Sequence, residues 1–109
     1  MTSKRPMSEY PVRTSSRCPT HPGAFLREIV LPAVGLPKVA VAEALGISRQ
    51  TLHDILTERQ PVTPATAVRL AAVFDTTARS WLAMQAAYDL WNAARKVDTS
   101  GMPKLKAAS

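Results

Sequence analysis

Cysteine occurs once, at Cys18, so no internal disulfide can form. Nothing beside it in sequence supports a nucleophilic thiol. Histidine occurs twice, at His21 and His53, and neither stands at metal-ligand spacing from a carboxylate cluster. No metal and no cofactor are therefore expected. His53 and Asp54 are adjacent, and adjacent residues diverge by about 100° on a helix, so they form no catalytic dyad. Glycine occurs four times and never in a phosphate-cradling run. These shortages argue against an enzyme. No apolar run has the length needed to span a membrane, and the N-terminal basic residues precede no secretory apolar core. A cytoplasmic protein without membrane contact is expected.

Acidic residues are also few. Eight stand against 14 Lys and Arg, giving a net charge of +6 and a pI near 10.1. A basic balance favours a polyanionic partner. Its distribution tempers that inference. Lys4, Arg5, Arg13 and Arg17 against Glu9 put half of the net charge on residues 1–20. That stretch holds three prolines and four serines with few apolar residues, and is expected to be a flexible arm. The 109 residues suffice for one small domain. Four of the six aromatics fall between Phe74 and Trp91, so the bulky packing is concentrated late.

The informative stretch is Val39 to Thr57, VAVAEALGISRQTLHDILT. Val41, Ala42 and Leu45 recur at helical spacing. Gly46 can take a positive φ and end that helix. Ile47 can plug the gap, and Ser48 is a natural N-cap. A second helix follows with Leu52, Ile55 and Leu56 inward. Gln50, His53, Asp54 and Thr57 lie opposite that stripe, flanked by Arg49. Arg reads guanine bidentately, Gln reads adenine, and Asp accepts from cytosine in the major groove. This is the pattern of a helix-turn-helix whose second helix reads DNA. The plainer alternative is a helical hairpin with a solvated polar face. The offsets of Ala42, Gly46, Ile47, Ser48 and Leu52 favour the former.

Around the motif, His21-Pro22-Gly23 opens a first helix with Phe25, Leu26, Ile29 and Val30 on one face, ended by Pro32 and Gly35. Glu58 to Thr63 is a polar loop in which Arg59 and Gln60 are placed for phosphate contact. Thr63 caps a fourth helix running to about Phe74, with Ala67, Leu70, Ala71 and Phe74 inward. Thr77 caps a last helix over about Ala78 to Lys96. Trp81, Met84, Tyr88 and Trp91 share one side of it. Leu82, Ala86, Leu90 and Ala93 share another, and a helix apolar on two sides needs two surfaces to pack against. One is the core and the other is expected to be a second subunit. Residues 97–109 read as a flexible tail. The expectation is an all-α domain of five helices over residues 21–96, with no strand.

The segments HPGAFLREIVLPAVGLPK, VAEALGISRQTLHDIL and RQPVTPATAVRLAAVFDTTARSWLAMQAAYDLW together resemble the HigA family of antitoxins, a branch of the phage-repressor-like (XRE) helix-turn-helix proteins. The resemblance spans about His21 to Lys96. It implies a five-helix, lambda-repressor-like domain that forms a homodimer and binds an inverted-repeat operator in double-stranded DNA. It also implies repression of its own operon and neutralisation of a HigB or RelE-like toxin that cleaves messenger RNA. By motif position, Arg49, Gln50 and Asp54, with His53 adjacent, become the base-reading residues. Lys38, Ser48, Thr51 and Arg59 become phosphate contacts, and Gln60 lies beside Arg59.

Three departures from the family pattern stand out. Pro37-Lys38 replaces a Ser-Gln pair at the start of the second helix. His53-Asp54 replaces a Ser-Arg pair, so Asp54 repels phosphate unless it pairs with cytosine or orients Gln50. Thr57-Glu58 replaces an Asn-Gly pair, which implies loss of the left-handed cap and a carboxylate near the DNA backbone. Two further functions fit the same residues. One is a stand-alone repressor without a toxin. The other is a protein-interaction module that no longer reads DNA.

Overall fold

The computed structural model describes residues 17–107, so most of the arm expected over 1–20 lies outside the described residues. Among the described residues the chain is all-α, with five helices and no strand. None of these helices is long and apolar enough to cross a membrane.

Helix α1 is built of three consecutive segments: Pro22–Phe25, a π-helical turn over Leu26–Val30, and Leu31–Val34. Pro22 stands at its first position, where a missing N–H is harmless. Pro32 does not stop this helix, contrary to the sequence expectation. It sits inside the last segment, and Gly35 makes the stop with φ 73°. In a regular α-helix the Pro32 ring would press on the carbonyl of Glu28, four residues back. The π turn immediately before it, closed by the Leu31 N–H donating to the Leu26 carbonyl, widens the helix at that point. The inserted residue also rotates the side chains off the simple stripe. Leu26 is fully buried, whereas Ile29, expected inward, is 57% exposed.

Helix α2, Lys38–Leu45, and helix α3, Arg49–Leu56, form the helix-turn-helix. Val41, Ala42 and Leu45 are buried on α2, and Leu52, Ile55 and Leu56 on α3. Gly46 ends α2 in the left-handed region with φ 72°, its N–H donating back to Ala42 and Glu43. Ile47 is half-buried and packs on the core. Arg69, in the helix Pro64–Phe74, reaches over and donates to the carbonyl of Leu45 at 2.9 Å. A cation at a helix C-terminus satisfies an orphan carbonyl and opposes the negative end of the macrodipole.

Helix α4, Pro64–Phe74, is capped by Thr63, which accepts from the Thr66 N–H. Helix α5, Ala78–Lys96, is capped by Thr77 in the same way. The core joins all five helices through Leu26, Leu45, Leu52, Ile55, Leu70 and Trp81, with Val62 contributed by the loop before α4. Trp81 is the largest fully buried side chain, and its indole N–H donates to the Thr76 hydroxyl at 2.7 Å. Its burial puts the Trp81 side of α5 against the core.

Candidate nucleic-acid interface

Three devices hold α3 so that its outer face is presented rigidly. The first is at its N-terminus. Ser48 Oγ accepts the Thr51 N–H at 3.0 Å and donates to Thr51 Oγ1 at 2.9 Å. The second is α1 lying across the other end. Gly23 approaches the carbonyl of Ile55 so closely that a Cβ there would overlap the oxygen and stand 2.9 Å from the carbon. His21 caps α1 through Nδ1, which accepts the Gly23 N–H at 2.8 Å. Its ring meets Tyr88 edge-on, with centroids 4.8 Å apart. The HPG run is thus a cap, a first-turn proline and a close-contact glycine. Burial holds the His21 pKa below the ordinary histidine value, against the opposing charges of Glu58 and Asp89 and alongside that of Arg27.

The third device closes the C-terminus of α3. Arg27 donates to the Leu56 carbonyl at 2.6 Å. The same guanidinium meets Glu28 at 2.7 Å and Glu58 at 3.5 Å. One sequence expectation for this end is corrected. The left-handed cap is not lost, because Glu58 itself adopts it with φ 64°. The Glu58 carboxylate pairs with Arg27 on α1.

On the outer face Arg49, Gln50 and His53 are exposed and Asp54 is half-buried. Gln50 Nε2 donates to Asp54 Oδ1 at 2.9 Å. Of the residues expected at phosphate, Lys38 is exposed at the first position of α2, and Arg59 is exposed in the loop. Thr51 and Gln60 are half-buried, and the Arg59 and Gln60 N–H groups both donate to the Asp54 carbonyl, at 2.8 and 3.2 Å. The loop is therefore tied to the helix it follows. Gln85, buried on α5, fixes the loop's other end: its Oε1 accepts the Val62 N–H at 2.8 Å and its Nε2 donates to Asp89 at 3.0 Å.

The second stripe of α5 divides. Leu82 packs partly on the domain's own core, while Ala86, Leu90 and Ala93 are exposed, Leu90 by 70%. The tethering roles of Arg27, Arg69 and Gln85 were missed in the sequence. Gln85 had a usable signal, since it lies one turn after Trp81 on the same face.

The Helix-turn-helix family (HTH_3) matches residues 26–81. The chain belongs to this family. The family match spans α1 to the start of α5 and takes in the whole of α2, α3 and α4. Within the family, virulence-associated protein I of Dichelobacter nodosus is 46% identical over 70 residues, which are 64% of this chain and 65% of that protein. The chain thus spans just under two thirds of that relative's length. Antitoxin HigA-1 of Vibrio cholerae is 33% identical over 81 residues, covering 74% of this chain and 76% of the relative. Antitoxin GraA is similar in structure, with a TM-score of 0.77 and 36% identity over 82% of this chain and 99% of its own. GraA in complex with its operator gives 0.75 and 34%, over 87% of this chain and 99% of its own. The HigA resemblance read from the sequence is borne out by these relatives.

Proposed function

We propose that this helix-turn-helix protein is the antitoxin of a toxin-antitoxin pair and binds the operator of its own promoter as a homodimer. The observation that carries this reading is the outer face of α3. It presents Arg49, Gln50, His53 and Asp54 from a short helix fixed at both ends by N-cap and arginine. Rigid presentation is what base readout requires, because a bidentate contact fixes both position and angle. The relatives named HigA-1 and GraA, the latter with its operator, support the same reading.

In this reading Lys38, Ser48, Thr51, Arg59 and Gln60 meet phosphate, and Arg49, Gln50, His53 and Asp54 face base edges. Two copies joined through α5 place their α3 helices in successive major grooves, about 34 Å apart. The arm over 1–20 and the tail over 97–109 flank this domain. The toxin is a small RelE-like nuclease that cleaves messenger RNA, and the antitoxin neutralises it by binding it.

The test has two arms. Inducing the small reading frame beside this gene, with and without this chain, should give growth arrest that this chain relieves, and the two proteins should co-purify. Arrest without relief, or no arrest, would leave a repressor alone. Binding of promoter DNA should weaken with salt at a slope of about −0.9 in log K against log salt for each phosphate neutralised. Arg49→Ala should cost about 1–3 kcal/mol and relax preference at one base pair. Equal binding of promoter and scrambled duplex by the wild type would defeat the DNA reading.

A further inference from the structure

We propose that Asp54 does not itself read a base but sets which base Gln50 accepts, restricting it to adenine. The inference rests on the DNA reading above and deepens it.

A glutamine amide offers an acceptor at Oε1 and two N–H groups at Nε2. Left to itself it can turn by 180° and present either side. An ionised carboxylate only accepts, so its partner must be the Nε2 side of the amide. The 2.9 Å contact from Gln50 Nε2 to Asp54 Oδ1 therefore selects one of the two amide orientations. It also consumes one of the two N–H groups. What remains facing outward is one acceptor, Oε1, and one donor, the second N–H.

Adenine presents one acceptor, N7, and one donor, the N6 amino group, along its major-groove edge. That is the complement of what Gln50 has left. Guanine presents two acceptors, N7 and O6. A free amide could meet both with its two N–H groups. The amide held by Asp54 is one donor short, and it turns an acceptor towards O6. Adenine is favoured and guanine is refused, with no contact from Asp54 to either.

The spacing brings the two side chains together. Gln50 and Asp54 stand four residues apart on α3, so their side chains lie one above the other on the same face. Asp54 is half-buried, and its own carbonyl receives the Arg59 and Gln60 N–H groups. The residue that orients Gln50 is thus fixed to the loop behind it. Asp54 is a positioning residue, and this placement accounts for a carboxylate on a face that meets a polyanion.

The experiment is selection of binding sites from a duplex library randomised over about 20 base pairs, the length of two half-sites one helical turn apart. Wild type, Gln50→Ala, Asp54→Ala, Asp54→Asn and Asp54→Glu are each used at full length, with circular dichroism to verify the fold. The wild type should enrich adenine over guanine at one position of each half-site, by about 5- to 150-fold. Gln50→Ala should lose that preference and so identify the position. Asp54→Ala and Asp54→Asn should lose it at the same position, to within about threefold, since neither residue fixes the amide. Asp54→Glu keeps an acceptor-only group and should retain the preference. Asp54→Ala changing a different base pair from Gln50→Ala would overturn the proposal, because Asp54 would then read a base of its own. Full adenine preference in Asp54→Ala would overturn it too. A wild type that enriches nothing would overturn the DNA reading itself, and this inference with it.

Discussion

Gly23 lies against the main-chain carbonyl of Ile55, with no room between them for a methyl group. This contact sets how α1 crosses the last turn of α3. The neighbour is backbone, so it cannot yield by changing rotamer. Gly23→Ala should therefore push α1 away from α3. The loss of stability should be at least about 3 kcal/mol, the upper end for overpacking. Urea unfolding measures it directly. A loss below about 1 kcal/mol would mean that α1 can shift on α3 without penalty, and that the close approach does not position the helix.

Glu58 carries φ 64° at the end of α3, a conformation that disfavours any residue with a Cβ. Its carboxylate sits 3.5 Å from Arg27 in a partly exposed ion pair. The backbone term is about 1–2 kcal/mol, and a pair this exposed contributes less than that. Glu58→Gly should therefore stabilise the protein, by at most about 2 kcal/mol, while Glu58→Ala should destabilise it. Thermal unfolding of the two variants separates the terms. A less stable Glu58→Gly would mean that the Arg27 pair outweighs the backbone strain.

The helices were legible in the sequence because their signals are local. Gly46, Ser48, Thr63 and Thr77 each mark a boundary within one turn of chain. The outer face of α3 was legible for the same reason. What the sequence hid is long-range. Arg27 binds a carbonyl 29 residues away, Arg69 one 24 away, and Gln85 an N–H 23 away. In sequence these are an arginine or a glutamine like any other. Glu58 misled because the propensity for positive φ pointed to glycine, whereas the Arg27 ion pair supports a glutamate there. Ile29 misled because a π turn breaks the 3.6-residue period on which the stripe was counted. The Gln50–Asp54 contact was open to inference from four-residue spacing, as one of two roles for Asp54.

His21 couples the α1 cap to pH. Its Nδ1 must be unprotonated to accept the Gly23 N–H, and burial lowers its pKa. The groups facing it are Glu58 and Asp89, which favour the proton, Arg27, which opposes it, and the Tyr88 ring. The unfolded chain takes up a proton near the ordinary value of about 6.5, before the folded chain does. The contribution of His21 is therefore fully present above about pH 6.5 and is lost as pH falls below it. The slope should not exceed about 1.4 kcal/mol per pH unit for one proton. Urea unfolding between pH 7.5 and 5.5 should show this decline. His21→Asn keeps a capping acceptor without a titrating ring, so its stability should change less over the same range. Equal slopes in the two proteins would assign the decline to other groups.

Leu90 tests the subunit contact proposed above. It is 70% exposed on α5, with Ala86 and Ala93 exposed beside it. One exposed leucine needs no explanation, but an apolar stripe along a 19-residue helix asks for a covering surface. The other side of the helix is occupied: Trp81 is buried in the core, and Arg95 stacks on the Trp91 ring 3.8 Å from its centroid. An exposed position tolerates substitution in the isolated domain to within about 0.5 kcal/mol. Leu90→Asp should therefore leave the domain folded by circular dichroism, yet place two carboxylates against each other across a two-fold contact. Sedimentation should give the mass of a single chain where the wild type gives two. On the proposed reading, binding to a duplex with two half-sites should weaken sharply, while binding to one half-site should stay as in the wild type, because only the joining of the two α3 helices is removed. A variant that sediments as a dimer would move the subunit contact off this stripe.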